Sequence, residues 1–378
     1  MTHISSLTLT AFRNYDSASI EELSDNFIIL IGENGAGKTN CLEGVSLLSP
    51  GRGLRAAAIH DMQSQTSKTP WAVSSQLVDR DGDIARLGVG RDPQKPSKKS
   101  IRANGTAIKN QSDLGDILRT LWLTPQMDGL FLQPSSERRR FFDRLVASFD
   151  GAHTGRMTRY EKAMRERLNL LKNAEEKNIP ADPTWLDALE NIMAETSVSI
   201  AAARIELLLQ LQQAITINHY NDFPPAQIHL NGEVENALKS QSALAIEDMV
   251  RERLKAMRRA DGQTGRTNFG IQRTDMGAIY SDKNADAAQC STGEQKSLLT
   301  TIILAHANMM TARHGQAPLL LFDEITAHFD AHRRDALFEI LESLKTQVWL
   351  SGQDVKSFSS IKNKQIIKVE NNLFTACE

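Results

Sequence analysis

The spacing of hydrophobic and polar positions changes several times along this chain, and the changes divide it. Near the N-terminus HISSLTLTA alternates as a strand with one buried face does. FIILI (27–31) is apolar throughout, the pattern of a short strand buried on both faces. Glycine-rich GENGAGKT follows, and NCLEGVSLL then predicts a helix. WAVSSQLV, IARLGVG and SIRANGTAI read as a meander of strands turned at DGD and NG, with RDPQKPSKK as an exposed polar loop. After TLWLTP (120–125) the character shifts. From Ser135 to about Arg259 helical spacing dominates, broken at NIPADP and NDFPPAQIHLNGE, and SVSIAAARIELLLQLQQAI contains neither glycine nor proline. Strand character returns at TDMGAIY. A long helix to about His314, the strand PLLLFDE, a helix from Ala331 to Leu344 and the strand QVWLSG complete the pattern. The expectation is an α/β nucleotide-binding core, residues 1–125 and 271–378, split by a helical insertion over 126–270.

Composition narrows the class without changing that picture. The 378 residues are 40% hydrophobic and 24% charged, ordinary values for a globular protein. A net charge of -2 argues against coating nucleic acid through bulk charge, while leaving room for local patches. Cys41, Cys290 and Cys377 have no paired metal spacing and fit a reducing cytoplasm. The opening MTHISSLTLTAFRNYD is not a signal peptide, and no run nears the roughly 18 apolar residues of a membrane helix. A soluble cytoplasmic protein with no membrane partner is expected.

GENGAGKT (32–39) matches the phosphate-loop pattern G-x-x-x-x-G-K-[ST] in the strand-to-helix context that pattern requires. Gly35 and Gly37 let backbone N–H groups face phosphates, and the following helix N-terminus favours negative charge. Lys38 is placed to reach the β- and γ-phosphates, and the Thr39 hydroxyl to ligate Mg²⁺. With Asn34, Ala36 and Asn40 these residues form the candidate ATP site. The strand LLLFDE (319–324) ends in two carboxylates. Asp323 is the candidate second Mg²⁺ ligand, and Glu324 the group that orients or deprotonates the attacking water. CSTGEQKSLL (290–299) places Ser291 and Thr292 at a helix N-cap with Glu294 in a loose capping box. A cap alone does not call for Gly293, and a helix N-terminus bearing a hydroxyl, a glycine and free N–H groups is itself a phosphate site.

Phosphate loop, insertion, STGEQ and acidic strand, in that order, resemble the ABC-type ATPases, with STGEQ resembling their signature motif. The resemblance implies a head-to-tail homodimer that sandwiches two ATP molecules. Ser291, Gly293 and Gln295 of one copy would then face the ATP held by the other. TAHFDAHRR (326–334) resembles the family's D-loop, with Asp330 matching its aspartate and His328-Phe329 departing from the usual small residue and leucine. In VWLSGQD (348–354) Gln353 or Ser351 stands where the family has its switch histidine, and Gln126 of TPQMDGLF is the candidate Q-loop metal contact. LTAFRNYDS (8–16) resembles the opening of the SMC-like DNA repair ATPases, whose arginine, here Arg13, lies near the nucleotide. FLQPSSERRRFFDRL (131–145) is similar to the Pro-Ser-x-x-Arg-Arg segment of that family's recombination-mediator branch. The insertion is larger than a transporter subunit's and lacks an SMC protein's long heptad coiled coil.

Local charge points to DNA. Residues 135–173 carry ten Arg/Lys against five Asp/Glu, and residues 251–273 seven against two, so Arg138, Arg139, Arg140, Arg258 and Arg259 are candidate backbone contacts. Three successive arginines cannot share one helix face, so at least one of Arg138 to Arg140 is expected in an internal ion pair. The resemblance implies a weak DNA-stimulated ATPase that binds duplex DNA at gaps or single-strand/double-strand junctions and works with mediator proteins that load the recombinase. The rival readings are a transport ATPase subunit and a P-loop small-molecule kinase.

Overall fold

The computed structural model describes residues 2–108, 113–218, 220, 222–327 and 329–377. In chain order the elements are β1 (His3–Phe12), β2 (Tyr15–Ile20), β3 (Phe27–Ile31), α1 (Lys38–Leu47), β4 (Ala72–Val78), β5 (Ile84–Arg91), β6 (Lys99–Ala103), β7 (Thr106–Ala107), α2 (Leu114–Ile117) and β8 (Thr120–Leu123). Then come α3 (Ser135–Phe149), α4 (His153–Lys177), α5 (Pro183–Ile217), β9 (Ala226–Asn231), α6 (Glu233–Ala237), α7 (Ala243–Ala256), α8 (Arg258–Thr264), β10 (Asp275–Tyr280) and β11 (Ala285–Asp286). The chain closes with α9 (Thr292–His314), β12 (Leu319–Phe322), α10 (Ala331–Ser343), β13 (Val348–Gly352), β14 (Lys364–Glu370) and β15 (Leu373–Cys377). These elements form two compact units, one of residues 1–128, 218–224 and 291–378, the other of 129–217 and 225–290.

The first unit holds two sheets. One runs β15-β14-β3-β13-β12-β8, parallel except for the edge strand β15. Strands β3, β13 and β12, together with the edge strand β8, are buried at every position, as the apolar runs of β3 and β12 require. The other sheet, β2-β1-β4-β5-β6-β7, is antiparallel throughout. Here alternate residues such as Leu87 and Val89 are buried and their neighbours face outward. Asn104 and Gly105, both at positive φ (49° and 80°), make the two-residue turn between β6 and β7 that the NG pair predicts. β2 and the hairpin β14–β15 carry no signal clear enough to be read from their sequence pattern. The 126–270 stretch is less purely helical than its spacing suggests, since β9 runs within it.

In the second unit α4, α5 and α7 surround a core that includes Leu189, Met193, Ile200, Ile246, Val250 and Phe269. Its polar framework is two fully buried arginines. Arg167 bonds Glu190, Asp261 and the Leu254 carbonyl, and Arg204 bonds both Asp143 oxygens, Glu235 and the Ile271 carbonyl. Such groups persist inside a protein only when each donor is satisfied. The unit also contains a three-stranded sheet β11-β10-β9. β10 pairs antiparallel with β9, so residues 271–290, expected in the second half of the core, lie in this unit instead. The partner strand β9 falls inside NDFPPAQIHLNGE, where the two prolines mask it.

Candidate nucleotide site

β3 delivers the phosphate loop and α1 begins at Lys38. A Cβ on Gly32 would lie 2.3 Å from the Val369 carbonyl oxygen, so β14 crowds out any side chain there. Gly37 caps α1 at φ 116° with no side-chain cap, leaving first-turn N–H groups for an anion. Lys38 is 4% exposed. Its ammonium donates to the Gly32 carbonyl at 2.6 Å and the Glu33 carbonyl at 2.8 Å. Burial pushes its pKa down, against the pull of the Glu324 and Asp323 carboxylates.

The acidic strand end meets this loop. The Thr39 hydroxyl donates to Asp323 Oδ2 at 2.9 Å and faces Oδ1 at 3.1 Å. Ser351, buried at the end of β13, donates to Asp323 Oδ1 at 2.6 Å, and its oxygen accepts the Glu324 N–H at 2.9 Å. Glu324 sits at φ 50°, a left-handed conformation that a non-glycine residue holds only when its surroundings enforce it. Among the described residues no group of three or more His, Cys, Asp or Glu could hold a metal ion. One hydroxyl and one carboxylate nevertheless suit Mg²⁺, which completes its shell from phosphate oxygens and water instead of a protein cage. Gln126, exposed, follows β8, the strand beside β12. Gln353 is exposed and donates to Asn34 Oδ1 at 2.9 Å, joining the strand after the site to the phosphate loop.

The signature turn forms a complete capping box. Ser291 Oγ accepts the Glu294 N–H, and the Glu294 carboxylate accepts from the Ser291 N–H at 2.8 Å. Ser291 is exposed and Gly293 half-buried, whereas Gln295 is 1% exposed and points into its own unit. Asp330 is exposed and caps α10, accepting from the Arg333 N–H at 2.9 Å. His328 lies outside the described residues.

Arg13 is committed to a partner that sequence reading missed. Its guanidinium donates to both oxygens of Glu43, at 2.9 and 2.6 Å, and to the Asp61 carbonyl. Glu43, 1% exposed on α1, also accepts from Arg55, which donates in turn to Asn40 Oδ1 at 2.6 Å. Asn40 donates to Asn14, and Asn14 donates to the Ala36 carbonyl and to Asn372 in the β14–β15 turn. A second missed residue is Lys296 of α9, also 1% exposed. Its ammonium donates to the Ala327 carbonyl at 3.0 Å and the Glu324 carbonyl at 3.3 Å, and pairs with Asp128 at 3.4 Å. Burial lowers its pKa, opposed by Asp128. The only sequence signal was a lysine opening an apolar helical run.

Most of the arginines read as DNA contacts are occupied. Arg138 pairs with Asp275 and with the Phe131 and Gln133 carbonyls, and the Asp275 hydrogen bond raises its pKa. Arg139 donates to the Thr274 carbonyl, and burial lowers its pKa. Arg140 pairs with Glu137, and Arg258 with Glu190 and Asp187. The expected internal pair within 138–140 thus involves more than one of the three. Arg259 is exposed beside Arg258. A further basic stretch lies elsewhere. Residues 84–108 carry Arg86, Arg91, Lys95, Lys98, Lys99 and Arg102 against Asp92 alone. On β5 and β6, Arg86 and Arg102 are exposed, and Arg102 stands opposite Gly88 on the same outward face as Arg86. Among the described residues neither holds an ion pair.

A parallel sheet carrying a phosphate loop beside an acidic strand end, with a capped signature helix in the same unit, is the head of an ABC-type P-loop ATPase of the SMC-like kind. The RecF/RecN/SMC N-terminal domain model matches residues 3–373. The "DNA replication and repair protein RecF" of Mesorhizobium japonicum is 42% identical over 373 residues, covering 98% of this chain and 97% of that protein. The protein of the same name from Agrobacterium fabrum is 42% identical over 377 residues, covering 99% and 98%. The chain belongs to the RecF family. Among solved structures, the recombination mediator RecF bound to ATP superposes with a TM-score of 0.86 at 19% identity, covering 100% of this chain and 98% of that one. An SMC head domain from Pyrococcus furiosus, bound to part of ScpA, gives 0.54 at 16% identity, covering 100% and 96%. These two likenesses concern the fold.

Proposed function

We propose that this chain is an ATP-dependent DNA-binding protein of recombinational repair and replication. ATP joins two copies head to tail, the pair grips duplex DNA at gaps or single-strand/double-strand junctions, and slow, DNA-stimulated hydrolysis to ADP and phosphate releases it. RecO- and RecR-type mediators are its partners in loading the recombinase, and the cytoplasm, at the nucleoid, is its location. The named relatives and the RecF structure of the RecFOR pathway support this reading. Among the described residues no helix is long and apolar enough to cross a membrane.

The observation that carries the proposal is the 2.9 Å contact between Thr39 Oγ1 and Asp323, with the buried Lys38 beside it and Glu324 adjacent in sequence. Lys38 and the first-turn N–H groups of α1 bind and orient the phosphates, and Arg13 is held by Glu43 of the same helix. Thr39 and Asp323 would hold Mg²⁺, with Gln126 as a further contact, and the ion would there supply charge neutralisation on the β- and γ-phosphates. Glu324 orients the attacking water and takes its proton, and Gln353 stands at the switch position. Ser291 and Gly293 present the free end of α9 to the partner copy's γ-phosphate, Asp330 lies in the D-loop, and the buried Gln295 supports the turn from within. For DNA, Arg86 and Arg102 join Arg259 as cations that hold no ion pair among the described residues and are offered to backbone phosphates, and contacts of this kind position without reading sequence.

Size-exclusion chromatography with non-hydrolysable ATP, with and without duplex DNA, tests the reading. ATP-dependent dimerisation strengthened by DNA is the expected result, and an unchanging monomer refutes it. A transport subunit predicts dimerisation indifferent to DNA, and a small-molecule kinase predicts an active monomer.

A further inference from the structure

Residues 218–224 belong to the first unit, although α5 before them and β9 after them belong to the second. The chain therefore leaves the helical insertion, touches the ATPase core and returns. Its anchors in the core are specific. Thr301 Oγ1 of α9 donates to the Pro224 carbonyl at 2.9 Å, and the Asn308 amide bonds the Tyr220 hydroxyl. The Asp222 carboxylate meets the His332 ring of α10 at 3.1 Å. Phe223, 4% exposed, packs edge-on against Phe329 with ring centroids 5.7 Å apart and planes at 78°. That geometry is the favourable one for aromatic pairs.

Phe329 is also engaged by the core itself. The Lys296 ammonium lies 5.6 Å from its ring centroid while donating to the carbonyls of Ala327 and Glu324. The segment that follows Glu324 is thus held at its carbonyls by Lys296 and at its far end by the Phe223 ring. Glu324 needs such holding, because its φ of 50° is not a conformation the residue adopts unaided.

We infer that Phe223 is a positioning residue for ATP hydrolysis: through Phe329, which Lys296 also engages, it steadies the chain that leaves Glu324 and so aims the Glu324 carboxylate. This rests on the role of Glu324 proposed above. Phe223 lies on the short segment, residues 218–224, through which the chain passes between α5 and β9.

The test uses the full chain as Phe223→Ala, Phe223→Tyr and, as a control for lost packing elsewhere, Leu87→Ala. Three quantities are read: kcat at saturating ATP, Kd for a fluorescent ATP analogue, and nucleotide-free hydrogen exchange of the 324–329 amides. Phe223→Ala is expected to lower kcat about tenfold, keep Kd within about twofold and speed exchange at 324–329 about tenfold. Phe223→Tyr, which keeps the ring, retains near-wild-type values, and Leu87→Ala leaves kcat and the 324–329 exchange unchanged. Unchanged exchange or unchanged kcat in Phe223→Ala overturns the inference, as does a loss of affinity matching the loss of kcat. If the wild-type chain hydrolyses no faster than Lys38→Met, the Glu324 reading fails, and the exchange arm still decides whether Phe223 holds the segment.

Discussion

Ser351→Ala is the most direct probe of how the acidic strand end is organised. The Ser351 hydroxyl is fully buried, donates to Asp323 and accepts from the Glu324 backbone. Removing it loses a bond to a charged group, worth about 1.5–3 kcal/mol, and strands the Glu324 N–H at about 1–3 kcal/mol. The missing oxygen leaves almost no cavity, so packing adds little. Part of this cost falls on the folded state and lowers Tm by about 1–5 °C, at about 1.3 °C per kcal/mol for 378 residues. The part expressed only when Glu324 must aim a water, about 1.4–2.8 kcal/mol, corresponds to a kcat lowered about 10- to 100-fold. ATP affinity should stay within about threefold, because the phosphate-loop contacts do not involve Ser351. Single-turnover hydrolysis with thermal melts on wild type, Ser351→Ala and Asp323→Asn measures each quantity. If Ser351→Ala hydrolyses at the wild-type rate while Asp323→Asn is inactive, the hydroxyl does not position Glu324. An affinity loss as deep as the kcat loss would show instead that the network serves binding.

Other outcomes follow from the same geometry. Lys38→Met should abolish ATP-dependent DNA binding, while Ser291→Arg should leave ATP binding by the monomer intact and abolish dimerisation; normal dimerisation by a Ser291→Arg chain would sink the cross-subunit assignment. Arg86→Ala combined with Arg102→Ala should weaken duplex binding for all sequences alike and reduce the slope of log K against log salt by about 2. Arg258→Ala should chiefly lower the melting temperature, since it removes the pairs with Asp187 and Glu190 and leaves the buried Glu190 with Arg167 alone, and a DNA defect without destabilisation would reverse that assignment. Burial alone would raise the Asp143 pKa, but Arg204 and His153 outweigh it and hold the carboxyl down at about 2, below its ordinary 3.8. The depressed value means its stabilisation, about 2 kcal/mol, is complete above pH 3.8 and lost as pH falls through about 2. Arg204→Met should remove that dependence in an acid titration followed by circular dichroism.

The parts legible in the sequence were those whose physics is local. GENGAGKT, LLLFDE and STGEQ each carry strand, turn and helix chemistry within a few residues, and each forms the element its spacing predicts. Fully apolar FIILI and LLLF could only be strands buried on both faces of a parallel sheet. Local pattern failed where the meaning of a residue depends on what comes opposite. β9 and β10 pair across residues 232–274, so no window around either shows that they form one sheet. Arg138 and Arg258 look like free surface charge in the sequence, and only folding places Asp275 and Glu190 against them. The same holds for Lys296, Ser351 and Glu43, ordinary residues in ordinary helices and strands until their burial forces each polar group to find a partner.

By itself, then, the sequence determined the phosphate loop, the carboxylates that face it, the signature cap and the order that marks an ABC-type head, because hydrogen bonding over a few residues dictates those shapes. The tertiary structure alone decided which arginines are taken up in ion pairs, how Glu324 is held in a conformation it would not choose, and that residues 218–224 return to the core beside Phe329. Those outcomes depend on long-range partners that compete for each charge and each buried face, and no short stretch of chain encodes the winner of that competition.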